Sequence, residues 1–178
     1  MSAYSDLLAD MRKEFSNFEV VPKSESRLMK AIDVFLKVIT FWQMRTFMTS
    51  FTTTLGNTVY VSPDWKDRSE SSRIITLRHE RVHMRQARRY TRFLFSVLYA
   101  FVLPAVWTFR AKFEMEAYEE TMRAAAEIYG PEALNDRFKE SLIKHFTSAE
   151  YFWMKPFKGP VEEWYTEARE RVLAGLGG

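Results

Sequence analysis

Apolar residues recur along most of this chain at three- and four-residue spacing, the period of a helix with one buried face. Residues 4 to 15 follow it, and so do residues 25 to 42, where Leu28, Ile32, Phe35, Leu36 and Ile39 share a stripe. Ser71 to Tyr90 contains neither glycine nor proline, and Ser71 or Ser72 can cap its start. At about 100° per residue, Ile75, Thr76, His79, Val82, His83, Gln86 and Tyr90 fall on one side of that helix. Arg78, Arg81, Arg85, Arg88 and Arg92 form a stripe on the opposite side. A further helix is predicted over Arg110 to Tyr129 and is stopped by Gly130-Pro131. Others are predicted over residues 132 to 146 and Val161 to Leu176, joined by an aromatic loop from Tyr151 to Pro160. The period switches to two only around Phe51–Leu55 and Thr58–Val61, which flank Gly56-Asn57 and predict an antiparallel hairpin ended by Pro63. The pattern implies an α+β, mostly helical fold with a small β-hairpin packed on the 71–90 helix and on the glutamate-bearing 110–129 helix.

With 178 residues, 47% of them hydrophobic, the chain reads as one domain over 1–178. Its core is expected at about 20–130, followed by a helical part at about 131–178. The absence of cysteine excludes disulfides and thiolate metal ligands, and fits a reducing, cytoplasmic setting. The formal charge of +3 is mild, no nucleic-acid motif is present, and the arginine stripe reads as a solvated face. Residues 1 to 18 are polar and amphipathic, unlike a signal peptide. Phe93 to Phe109 is uncharged and aromatic-rich, near the lower length of a membrane span, and is divided by Pro104. Burial as a helical hairpin is favoured there over membrane contact.

Two of the three histidines lie in His79-Glu80-Arg81-Val82-His83, a match to the H-E-x-x-H signature of zinc peptidases. Positions i and i+4 share a helix face, so both imidazoles can reach one cation. Glu80 follows the first ligand and is placed to act as general base on a water molecule. A hydrolytic zinc site needs a third protein ligand. Glu114 shares its face with Ala117, Tyr118, Thr121, Ala125 and Ile128, whereas Glu116 lies with Lys112, Glu119, Glu120, Arg123 and Glu127. A carboxylate on an apolar stripe needs a partner, and zinc would supply one to Glu114. Gln86, one turn beyond His83, can support the site or hold a backbone group.

H-E-x-x-H with a later helical glutamate resembles the gluzincins, the zinc peptidases that include thermolysin. Phe113-Glu114-Met115-Glu116-Ala117-Tyr118 resembles the Glu-x-x-Ala-Asp pattern of one gluzincin branch, and the run from about residue 50 to 125 is similar to small phage-encoded metallopeptidases, the minimal gluzincins. The resemblance implies a zincin-like fold with one Zn2+ per chain held by His79, His83 and Glu114. It implies hydrolysis of a peptide or protein substrate with Glu80 as base, in the cytoplasm of a bacterial host. Tyr118 stands where the pattern has aspartate. A thermolysin-like register would select Glu116, supported by Glu120. The resemblance also places Val59, Tyr60 and Val61 in an edge strand that pairs with extended substrate. His145, Tyr151 and Tyr165 are candidate donors to the oxyanion. Two other classes remain open: a non-hydrolytic zinc protein stapling two helices, and a phage-associated binding or membrane-docking module. Oligomeric state is not legible.

Overall fold

The structure, a computed structural model, describes residues 2–39, 46–89, 104–148 and 157–177. These residues are mostly helical, with one three-stranded sheet. The chain forms two compact units, Met1–Met84 and Arg85–Gly178. One continuous helix runs through the boundary.

The first unit begins with α1 (Ala3–Glu14), whose Ser2 hydroxyl accepts from the Ser5 amide at 3.3 Å. Strand β1 (Glu19–Pro22) leads through a 3₁₀ turn, Lys23–Glu25, into α2 (Arg27–Ile39). The short α3 (Phe47–Ser50) precedes β2 (Thr53–Leu55) and β3 (Thr58–Val61). The expected hairpin is present: β2 pairs antiparallel with β3, and Gly56 takes φ +63° in the turn. A left-handed φ of this kind favours glycine.

Strand β1 was not anticipated. It pairs parallel with β3, Val20 opposite Val59, so the sheet order is β1-β3-β2. Four residues ending in proline carry too little alternation to read as a strand, and the partner is distant in sequence. The core of this unit joins Met11 of α1 and Phe15 just beyond it, Phe18, Val59 and Val61 of β3, Trp65, and Leu77 and Met84 of the next helix. Val59 and Val61 point inward on alternate positions, as a strand with one buried face requires.

Helix α4 (Glu70–Arg89) is the expected helix, begun slightly earlier. Its cap is Ser69 rather than Ser71 or Ser72: the Ser69 hydroxyl accepts from the Ser72 amide at 3.2 Å. Arg81 of the arginine stripe docks α1, its Nε donating to Glu14 at 2.6 Å, and Arg73, outside the stripe, stacks its guanidinium 4.4 Å from the Tyr4 ring. Arg92 lies outside the described residues.

In the second unit, α5 (Pro104–Tyr129) absorbs the predicted 110–129 helix and extends it back to Pro104. Residues 93–103 of the apolar segment lie outside the described residues. No helix among the described residues is long and apolar enough to cross a membrane. Gly130, at φ +90°, stops α5 as its glycine-proline pair predicts, and a 3₁₀ turn follows over Pro131–Ala133. Asn135 then caps α6 (Asp136–Thr147), accepting from the Phe138 amide at 3.1 Å. The predicted 132–146 helix is therefore interrupted near its start. Helix α7 (Lys158–Leu176) packs on α5, where Arg171 meets Glu119 at 2.7 Å, and on α6 through Phe146 and Trp164.

Candidate metal centre

The site grows from the uninterrupted register of α4. With no glycine or proline between Glu70 and Arg89, positions 79, 83 and 86 stay on one face. His83 is buried and His79 half-buried. Their Nε2 atoms face each other at 3.1 Å, with the rings edge-on at 4.9 Å between centroids.

Gln86 fixes what lies opposite. Its side chain is buried, and Nε2 donates to the Phe113 carbonyl at 3.0 Å and to Glu116 Oε2 at 2.9 Å. Both bonds lie within the second unit, and they hold the last turn of α4 against the turn of α5 that carries Glu114. Gln86 therefore holds a backbone group, one of the two roles weighed for it. Glu114 is 6% exposed, as its apolar stripe implies. One ligand atom each from His79, His83 and Glu114 lies within 4.8 Å of the others. This group can hold a metal ion.

The donor set can be tested against zinc. Tetrahedral coordination at about 2.0–2.1 Å sets two ligand atoms about 3.3 Å apart. The two imidazole nitrogens, at 3.1 Å, already have that spacing. Bringing the Glu114 oxygen from the 4.8 Å limit to the same spacing takes about 1.5 Å, within reach of a carboxylate turning about its side-chain torsions. Two imidazoles and one carboxylate are a donor set of catalytic zinc sites. The residues fit the ion.

Glu116 and Glu120, the alternative register, are otherwise engaged. Glu116 is exposed and accepts from Gln86, and Glu120 pairs with Arg123 at 2.8 Å. Glu114 lies on the buried face of α5 and Glu116 on the exposed one, the division of faces that the apolar stripe implied.

Glu80 points to other partners. It is 6% exposed, and the Thr54 hydroxyl on β2 donates to its Oε2 at 2.7 Å. A second group, Lys23, is fully buried; its Nζ donates to the Phe47 carbonyl at 2.7 Å and sits 3.6 Å over the Phe47 ring. Burial pushes the Lys23 ammonium down to about 8, while the charges of Glu80 and Asp33 act the other way. Sequence reading missed both residues. A threonine in a strand and a lone lysine after a proline carry no local signal; only the fold brings them toward Glu80.

The remaining candidates are corrected or relocated. Val59, Tyr60 and Val61 do not form an edge: β3 is the central strand, hydrogen-bonded on both sides because β1 joins it. Among the described residues β2 is an outer strand, and it carries Thr54. Tyr165 is buried in α7 and its hydroxyl donates to the Leu134 carbonyl at 3.1 Å, which makes it a helix anchor rather than an oxyanion donor. Burial also pushes its phenol up from the ordinary value. Tyr118 packs edge-on against His145 at 5.8 Å and beside Phe146 at 5.4 Å. His145 Nδ1 lies 2.8 Å from the Ser141 carbonyl of its own helix. Tyr151 lies outside the described residues. Comparisons with protein-family models, curated proteins and solved structures give no match.

Proposed function

We propose that the chain is a zinc-dependent peptidase of gluzincin type, with a zincin-like fold. The observation that carries this reading is that His79 and His83, on the helix that also presents a buried Glu80, lie with Glu114 of α5 in one group of ligand atoms within 4.8 Å. A purely structural ion would need no such glutamate, and closed structural sites add a fourth protein ligand.

His79, His83 and Glu114 would hold the ion. When bound, zinc lowers the pKa of a coordinated water and polarises a substrate carbonyl. Everything else falls to the chain. Thr54 fixes one oxygen of Glu80, so the carboxylate is held in a single orientation. Glu80 takes a proton from the attacking water through its other oxygen and returns it to the departing amine. Gln86 holds the Phe113 carbonyl, and with it the turn of α5 that carries Glu114. Burial of Glu80, His83 and Glu114 keeps the reacting volume poor in bulk water, which strengthens each electrostatic contact.

Cleavage of a mixed peptide library, read by mass spectrometry, tests the proposal. Products should appear with the zinc-loaded chain, vanish with chelator and return on adding zinc. Glu80→Gln should keep its metal while turnover drops by roughly a thousandfold. Turnover unchanged by chelator or by Glu80→Gln would reject it.

A further inference from the structure

Helix α2 presents hydrocarbon outward. Leu28 is 47% exposed, Val34 60%, Phe35 61% and Val38 59%. At 100° per residue these four, with exposed Ala31, fall on an arc of about 120° running about 15 Å along the helix. The opposite side is the docked one: Met29 is fully buried and Asp33 8% exposed. The helix is well made, with the Ser26 hydroxyl accepting from the Met29 amide at 3.2 Å, so the outward face is not a fraying end.

Within α2 the exposed charges beside the arc are of one sign. Arg27 lies at its N-terminal end and Lys30 on its flank, both exposed. The helix's single acid, Asp33, is turned inward and paired with Lys37 at 2.6 Å. The nearest exposed acid before the helix is Glu25, in the preceding turn. A second copy of this helix would offer these cations no exposed acid of its own α2 to pair with. A surface of anionic headgroups over acyl chains matches both the cations and the hydrocarbon.

We infer that α2 is an interfacial helix that docks the protein on an anionic lipid surface, with Leu28, Val34, Phe35 and Val38 inserted at the headgroup boundary and Arg27 and Lys30 among the headgroups. It lies in the surface plane: 13 residues cannot span a bilayer, and no described helix is suited to crossing one. The inference stands on α2 alone and does not depend on the metal site.

Vesicle co-sedimentation of the full chain tests it. One arm uses phosphatidylcholine and the other phosphatidylcholine mixed with phosphatidylglycerol. The protein should pellet with the mixed vesicles, much less with the neutral ones, and less as salt rises. Val34→Glu/Phe35→Glu/Val38→Glu should cut partitioning by about a hundredfold or more, while Arg27→Gln/Lys30→Gln should erase the preference for anionic vesicles. Phe35→Glu alone, with its melting curve recorded, keeps the test decisive if the triple variant folds poorly. No pelleting by wild type, equal pelleting with both vesicle types, or wild-type binding retained by Phe35→Glu would overturn the inference. So would concentration-dependent self-association that consumes this face.

Discussion

Helix α4 buries a histidine, a glutamate and a glutamine, while helix α2 leaves a leucine, two valines and a phenylalanine outside. Both helices obey the same three- and four-residue spacing. In each the arrangement is the reverse of what solubility alone would select, since buried polar groups and grouped exposed apolar ones are the informative exceptions. The period states that a helix forms and which residues share a face. It does not state what that face meets. In α4 the polar groups are tolerated because they meet each other: the histidines face across 3.1 Å, Gln86 reaches Phe113 and Glu116, and Glu80 receives Thr54. In α2 one side, with Met29 and Asp33, is buried, and the side of Leu28, Val34, Phe35 and Val38 is exposed.

The largest effects should fall on the buried polar face. Glu114→Ala should weaken zinc binding by at least about a hundredfold, measured by competition with a metal indicator, whereas Glu116→Ala should change it far less. The reverse order would move the ligand to Glu116. Next comes the contrast within α2. Met29→Ala should cost about 2–5 kcal/mol in denaturant unfolding, and Phe35→Ala within about 0.5 kcal/mol. Equal losses would mean that the outer face is packed after all.

Lys23 offers a pH test. Its ammonium titrates near 8 when folded against 10.5 when unfolded, so between these values the unfolded chain binds more protons. Stability contributed by this group therefore rises as pH climbs from about 8 toward 10.5, by up to about 3 kcal/mol. Lys23→Met should flatten that rise relative to wild type in urea titrations across the window. An unchanged slope would show that Lys23 keeps its ordinary pKa.

The smallest expected effect concerns Thr54. Thr54→Val should lower kcat about tenfold with KM and metal content nearly unchanged, and Thr54→Ser should restore it. A change confined to KM would assign Thr54 to substrate contact instead of to holding Glu80.

Much of the local structure was legible. The α4 helix, the β2–β3 hairpin and the Gly130 stop follow from period, turn chemistry and the special backbone freedom of glycine. That Glu114 would be buried and Glu116 exposed was legible because the stripe around Glu114 is apolar and a helix face is buried as a unit. What escaped were relations between segments far apart in the chain. Strand β1 is too short to show alternation, and its pairing with β3 turned an expected edge into a central strand. Thr54 reaches Glu80, and Lys23 comes to feel its charge, only through tertiary packing. The apolar stripe of α2 was visible, but no spacing rule could say that Leu28 and Phe35 would stay outside.

Titrating metal-stripped, tag-free protein with zinc in a calorimeter addresses the central claim most directly. One equivalent should bind tightly with release of protons, and His83→Ala should abolish that binding while leaving the helical circular-dichroism signal in place. Absence of a saturable equivalent in wild type, or the same binding curve in His83→Ala, would contradict it.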